Sequence, residues 1–206
     1  MRFEVKGNPS YGEVDVDLGP NETLLIEPGA MSRMSSNLSS SFQRQGGFFS
    51  AMFRKMFGGE NFFLGKYEHP DGGKLTFAPS IPGHVEHRQL TNNSLNIMAG
   101  GFLACTPGVN IKAKFGGLKA LFSGEGAFLL EASGNGDLFF NSFGGVVEKQ
   151  INGEFIVDTG HVVAFDPSLD YKITGMGSFK STMLSGEGMV MRFSGNGKLY
   201  LQTRNV

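Results

Sequence analysis

The chain has 206 residues, of which 40% are hydrophobic and 18% charged, and its 18 basic and 19 acidic side chains leave a net charge of -1. A chain of this size buries about 70% of its unfolded surface, so a disordered chain is excluded, and the even charge disfavours a dedicated DNA binder. The 31 glycines are about twice the usual share, beside 20 phenylalanines and no tryptophan, a composition that favours many short strands between tight turns and hence an all-β protein.

The opening residues MRFEVKGNPSYG lack the apolar run of a signal peptide, and no stretch reaches the ~18 apolar residues of a membrane span, so the expected location is the cytoplasm. Residues 14–26 (VDVDLGPNETLLI) alternate apolar and polar positions around a glycine, which predicts two short strands and a turn. An insertion follows at about residues 36–57. Within it GFFSAMFRKMF (47–57) sets Phe49, Met52, Phe53 and Met56 on one stripe, the one credible short helix. GGE (58–60) and DGGKLTF (71–77) complete a first passage.

The same motifs return twice. LNIMAGGFLAC (95–105) and FIVDTGHVVAF (155–165) repeat the lead-in; SGEG recurs at 123–126 and 185–188, and GNG at 134–136 and 195–197. Pro28, Pro107 and Pro167 mark the matching corner of each copy, so the chain is predicted to hold three tandem antiparallel β-sandwich or roll units (about 1–80, 81–142 and 143–206) in one compact region, arranged with pseudo-threefold symmetry. Asp71-Gly72, Asn135-Gly136 and Asn196-Gly197 suit type I′ turns and are expected at hairpin tips. Beyond each tip Leu75 and Phe77, Leu138 and Phe140, Leu199 and Leu201 alternate, which predicts one core-facing side.

With LIEPGAM (25–31), GGFFSAMFRKMFGGENFF (46–63) and the SGEG and GNG pairs on the page, the sequence resembles the family named after the yeast altered-inheritance-of-mitochondria protein. The resemblance covers essentially the whole chain. It implies a β-sandwich fold like that of the tryptophan RNA-binding attenuation protein (TRAP), built from repeats and often oligomeric, with no known enzymatic activity; eukaryotic relatives are associated with mitochondrial inner-membrane organisation. It transfers no catalytic residues. TRAP's RNA and tryptophan binding do not follow from a shared fold.

Residue chemistry points the same way. No phosphate loop or nucleophile elbow is present, and no catalytic, cofactor or metal residues are expected. His84 and His87 in GHVEH would face opposite sides of a strand, with Glu86 on the side of His84. Glu60, Glu125 and Glu187 recur in glycine turns, where they are read as turn carboxylates that accept backbone hydrogen bonds. Cys105 stands where the other copies carry Ile26 and Phe165, so it reads as buried packing. The expected contact surface is the 42–57 loop through Phe48, Phe49, Met52, Phe53 and Met56, packed in the protein or its oligomer, with a membrane or a partner protein as the other option. The sequence thus reads as a non-enzymatic binding or scaffolding protein acting as a homo-oligomer, a trimer as the working number. The alternative is a binder of a small ligand or RNA, whose local support is Lys112, Lys114 and Lys119.

Overall fold

The computed structural model describes residues 1–44, 63–115, 128–175 and 189–205. They form antiparallel sheets with no α-helix among the described residues; the helix expected at 47–57 lies outside them. Two stretches follow the same order of elements. In one, β8 (Val85–Met98), a 3-10 turn at Ala99–Gly101, β9 (Phe102–Cys105), β10 (Val109–Phe115) and β11 (Phe128–Asn141) succeed each other. In the other, β12 (Val146–Asp158), a 3-10 turn at Thr159–His161, β13 (Val162–Phe165), β14 (Leu169–Gly175) and β15 (Met189–Gln202) do so. Each closing strand, β11 or β15, runs antiparallel along the opening strand, β8 or β12. Its other edge takes β10 or β14 on the first half and β9 or β13 on the second.

The first stretch uses the same ladder in shorter pieces. These are β1 (Arg2–Lys6), β2 (Glu13–Leu18), β3 (Thr23–Ile26), β4 (Met31–Met34), β5 (Ser39–Arg44), β6 (Phe63–Glu68) and β7 (Gly73–Phe77). Here β2 with β3 takes the place of the opening strand, and β6 with β7 that of the closing strand. β1, β2, β7 and β4 form a separate four-stranded sheet, while β3, β6 and β5 continue the eleven-stranded sheet of the rest.

One corner recurs in all three stretches. The backbone N–H groups of Ser35, Thr106 and Asp166 donate to the carbonyls of Lys74, Asp137 and Lys198. In return the N–H groups of those three donate to Ser35 Oγ (2.9 Å), Thr106 Oγ1 (2.9 Å) and Asp166 Oδ2 (2.8 Å). Leu38, Val109 and Leu169 then donate back to the same Ser35, Thr106 and Asp166 carbonyls. This corrects the expected register of the first copy: the counterpart of Pro107 and Pro167 is Ser36, not Pro28, which follows β3 and precedes β4.

The glycine pairs are also not hairpin tips. Asn135-Gly136 and Asn196-Gly197 lie inside β11 and β15, and Asp71-Gly72 links β6 to β7, which belong to different sheets. Positive φ at Gly134 (124°) and Gly136 (151°) serves a bulge at Gly134/Asn135, where one continuous strand swings from β10 to β9. A Cβ at Gly134 would sit 2.3 Å from the Gly108 carbonyl oxygen, so the close approach itself requires glycine.

Beyond the bends the closing strands are buried on both faces, not one. Leu75, Leu138 and Leu199 are 0–1% exposed, yet so are Phe139 and Tyr200, and Thr76 reaches only 5%. The reason is that the apolar side chains gather in three clusters, one per stretch, and each next stretch lends side chains to the one before. Val85, Leu103, Ala104 and Phe139 join the first cluster, and Val163, Ala164 and Tyr200 join the second.

Candidate interaction surface

Two strand junctions couple the stretches. β9 pairs with β3, Leu25 opposite Cys105 and Ile26 opposite Ala104, and the Glu27 N–H donates to the Leu103 carbonyl at 2.8 Å. β13 pairs with β8 in the same sense, Phe165 opposite Asn96 and Ala164 opposite Ile97. Cys105 is wholly buried at its junction, and burial pushes its thiol up to about 12, as its packing role requires.

The surface at the other side of the first stretch differs in chemistry. Arg33 faces Thr76 in the same cross-strand position that Ala104–Phe139 and Ala164–Tyr200 occupy further along. Instead of packing on a preceding stretch, it lines an open groove of about 680 Å³ on the four-stranded sheet. Alternation in EVDVDL turns Val14, Val16 and Leu18 inward and leaves Glu13, Asp15 and Asp17 outward. Arg33 donates to Glu13 Oε1 (2.9 Å), Glu13 Oε2 (3.0 Å) and Asp15 Oδ1 (3.0 Å), Lys6 Nζ meets Asp15 Oδ2 at 2.7 Å, and Thr76 Oγ1 donates to Asp15 Oδ1.

Electrostatics hold this network ionised. Hydrogen bonds from Lys6 and Thr76 bring Asp15 down to about 2, and the Arg33 guanidinium lowers Glu13. Lys6 and Arg33 are raised by the same partners. Each shift favours the charged form of its group, so the network is a set of fixed charges. Its signal was partly present in the sequence, as charges alternating with valines in VDVDL; that Arg33 and Lys6 converge on Asp15 was not.

His84 lies just before β8 and His87 on it. His84 Nε2 lies 3.0 Å from Glu86 Oε2, while His87 pairs with Asp137 Oδ1 at 2.8 Å and packs at a tilt against the rings of Phe3 and Phe139. Among the described residues no three His, Cys, Asp or Glu side chains converge as metal ligands. Lys112 and Lys114 are exposed on β10, and Lys114 is paired with Glu131, which subtracts from the basic patch; Lys119 lies outside the described residues. So do Phe48, Phe49, Met52, Phe53, Met56, Glu60, Glu125 and Glu187. Of the 42–57 segment, residues 42–44 are described, at the end of β5; Phe42 is 76% exposed there, on an end strand of the eleven-stranded sheet. No helix among the described residues is long and apolar enough to cross a membrane.

Comparison with known proteins adds the relationship. An uncharacterized protein of Streptococcus pyogenes serotype M6 is 29% identical over 215 residues, covering 100% of this chain and 87% of that protein. A Streptococcus pyogenes protein known from an X-ray crystal structure superposes with a TM-score of 0.81 at 28% identity, over 99% of this chain and 94% of that one. The match of the family model to residues 3–204 shows that the chain belongs to the mitochondrial biogenesis AIM24 family.

Proposed function

We propose that this chain is a binding or scaffolding protein without a reaction of its own, a homo-oligomer of TRAP-like chains each made of three units, residues 1–80, 81–142 and 143–206. It acts through its sheet surfaces and the 42–57 segment. The observation that carries this reading is the groove on β1, β2, β7 and β4: open, about 680 Å³, and lined by charges of both signs, among which Lys6 and Arg33 pair with Asp15. The three apolar clusters and the thrice-repeated corner support the division into units. Relatives that match over nearly the whole chain are consistent with one shared architecture.

Light scattering on the eluting full chain tests the oligomer. The reading predicts a mass of several 22.2 kDa chains; one chain's mass at every concentration overturns it. The membrane option is tested by flotation with liposomes, for the intact protein and for a variant carrying Phe49→Ser and Phe53→Ser. Flotation of the intact protein alone selects membrane contact, and equal, negligible flotation selects contact between proteins.

A further inference from the structure

We propose that copies of this chain join head to tail, β4 of one copy completing the open edge of β12 in the next, with Met34 opposite Ile156 and Arg33 opposite Val157 of the second copy. This rests on the homo-oligomer reading and specifies its contact. The register is the one used twice inside the chain. Cys105 lies opposite Leu25 and Ala104 opposite Ile26; Phe165 lies opposite Asn96 and Ala164 opposite Ile97. On the donor side, Met34 pairs with Leu75 as Cys105 does with Leu138 and Phe165 with Leu199. On the acceptor side, Ile156 lies opposite Arg192, three residues before Gly195, as Asn96 lies opposite Glu131, three before Gly134.

Both ends of this pattern are open among the described residues. β4 pairs with β7 alone and β12 with β15 alone, and the two do not meet within one chain. Exposure follows the missing partners. Leu25 is 0% and Asn96 5% exposed where the next unit covers them, whereas Ile156 is 46% exposed. Cys105 is 0% exposed, and its counterpart Met34 is 38%. The middle cluster has Val146 alone as a partly buried apolar neighbour, while the last has Met98, Phe155, Tyr171, Ile173 and Leu201. An unpaired strand edge beside an apolar position is a ready template for another strand.

The contact differs from the internal junctions in one respect. Arg33 stands where they carry Ala104 and Ala164, so closing it desolvates the Arg33–Glu13–Asp15 network, whose charges are already paired. The association is therefore weaker than the internal junctions, reversible and sensitive to salt. It joins unlike surfaces, so it forms a ring if the rotation closes and a chain if it does not.

Directly opposed residues of an antiparallel pair have Cα atoms close enough for a disulfide. Full-length Met34→Cys and Ile156→Cys chains are mixed under mild oxidation and run on a non-reducing gel. A cross-linked dimer from the mixture and none from either variant alone is expected. In addition, Ile156→Arg is expected to weaken self-association about tenfold or more, with an unchanged unfolding midpoint when both proteins are diluted to single chains, since the side chain is 46% exposed in one chain. No cross-link in the mixture, or cross-links from a single variant, overturns the head-to-tail contact while a multi-chain mass of the unmodified protein leaves the oligomer standing. A single-chain mass overturns both.

Discussion

Ser35, Thr106 and Asp166 do the same work with three different side chains: each accepts the backbone N–H of the residue whose carbonyl accepts its own N–H. A hydroxyl or a carboxylate serves, a hydrocarbon does not. Thr106→Val keeps the shape and leaves the Asp137 N–H without its acceptor, so it is expected to cost about 1–2 kcal/mol, read as a lower urea midpoint at unchanged slope. Two of these corners were legible because proline follows Thr106 and Asp166. Ser35 was hidden, since Ser36 replaces that proline and the more conspicuous Pro28 drew the alignment one corner early.

Glu27, whose backbone makes the first junction, is a second local case. Burial raises its carboxyl from 4.5 to about 7, so the folded chain holds a proton that the unfolded chain releases across that window. Its contribution is complete below the unfolded value and is lost as pH rises through the folded one, after which stability is flat. Asp15, lowered to about 2, acts in the opposite sense and in another window, losing stability as pH falls below its ordinary 3.8. Glu27→Gln is expected to remove the decline between about pH 5 and pH 8, checked by urea midpoints of both proteins at the two pH values.

At the scale of elements, glycine is used to bend strands, which local sequence does not distinguish from a tip. Asn-Gly favours a two-residue turn only if the strands on either side pair with each other; β8, through a bulge, and β12, without one, instead pair along both sides of the bend, and that long-range ladder wins. Gly134→Ala meets both a positive φ and the Gly108 carbonyl oxygen 2.3 Å away, whereas Gly153, at φ 104°, has nothing within 4 Å of its Cβ position. The first substitution is expected to cost about 3 kcal/mol or more and the second about 1 kcal/mol, measured as the difference between their unfolding midpoints.

The junction elements make a further prediction. Asn96 is 5% exposed and its Oδ1 has no hydrogen-bond partner, while the corresponding Leu25 and Ile156 are apolar. Asn96→Leu removes a buried, unsatisfied acceptor and is expected to raise stability by about 1 kcal/mol. A fall in the thermal midpoint would show that the amide is needed where it stands.

Over the whole molecule, composition and periodicity were enough for an all-β chain, and the repeated SGEG and GNG strings pointed to recurrence. What they could not show was how the stretches share a core. Leu103, Ala104 and Val163 read simply as apolar strand residues, yet they complete the cluster of the preceding stretch. Burial on a neighbour leaves no period in sequence, because both faces of a closing strand become apolar. The charged groove was half visible for the opposite reason: alternation in VDVDL marks an outward face, but Arg33 and Lys6 reach it from strands whose pairing no local pattern specifies.

The central claim is that a strand from each stretch completes the edge of the one before, by the same register each time. Cross-strand backbone nuclear Overhauser effects in the isotope-labelled protein address it most directly. The account predicts contacts between Ile26 and Ala104 and between Ile97 and Ala164, alongside those within a stretch such as Val109 with Gly134. Contacts within the stretches but none at either junction would contradict it.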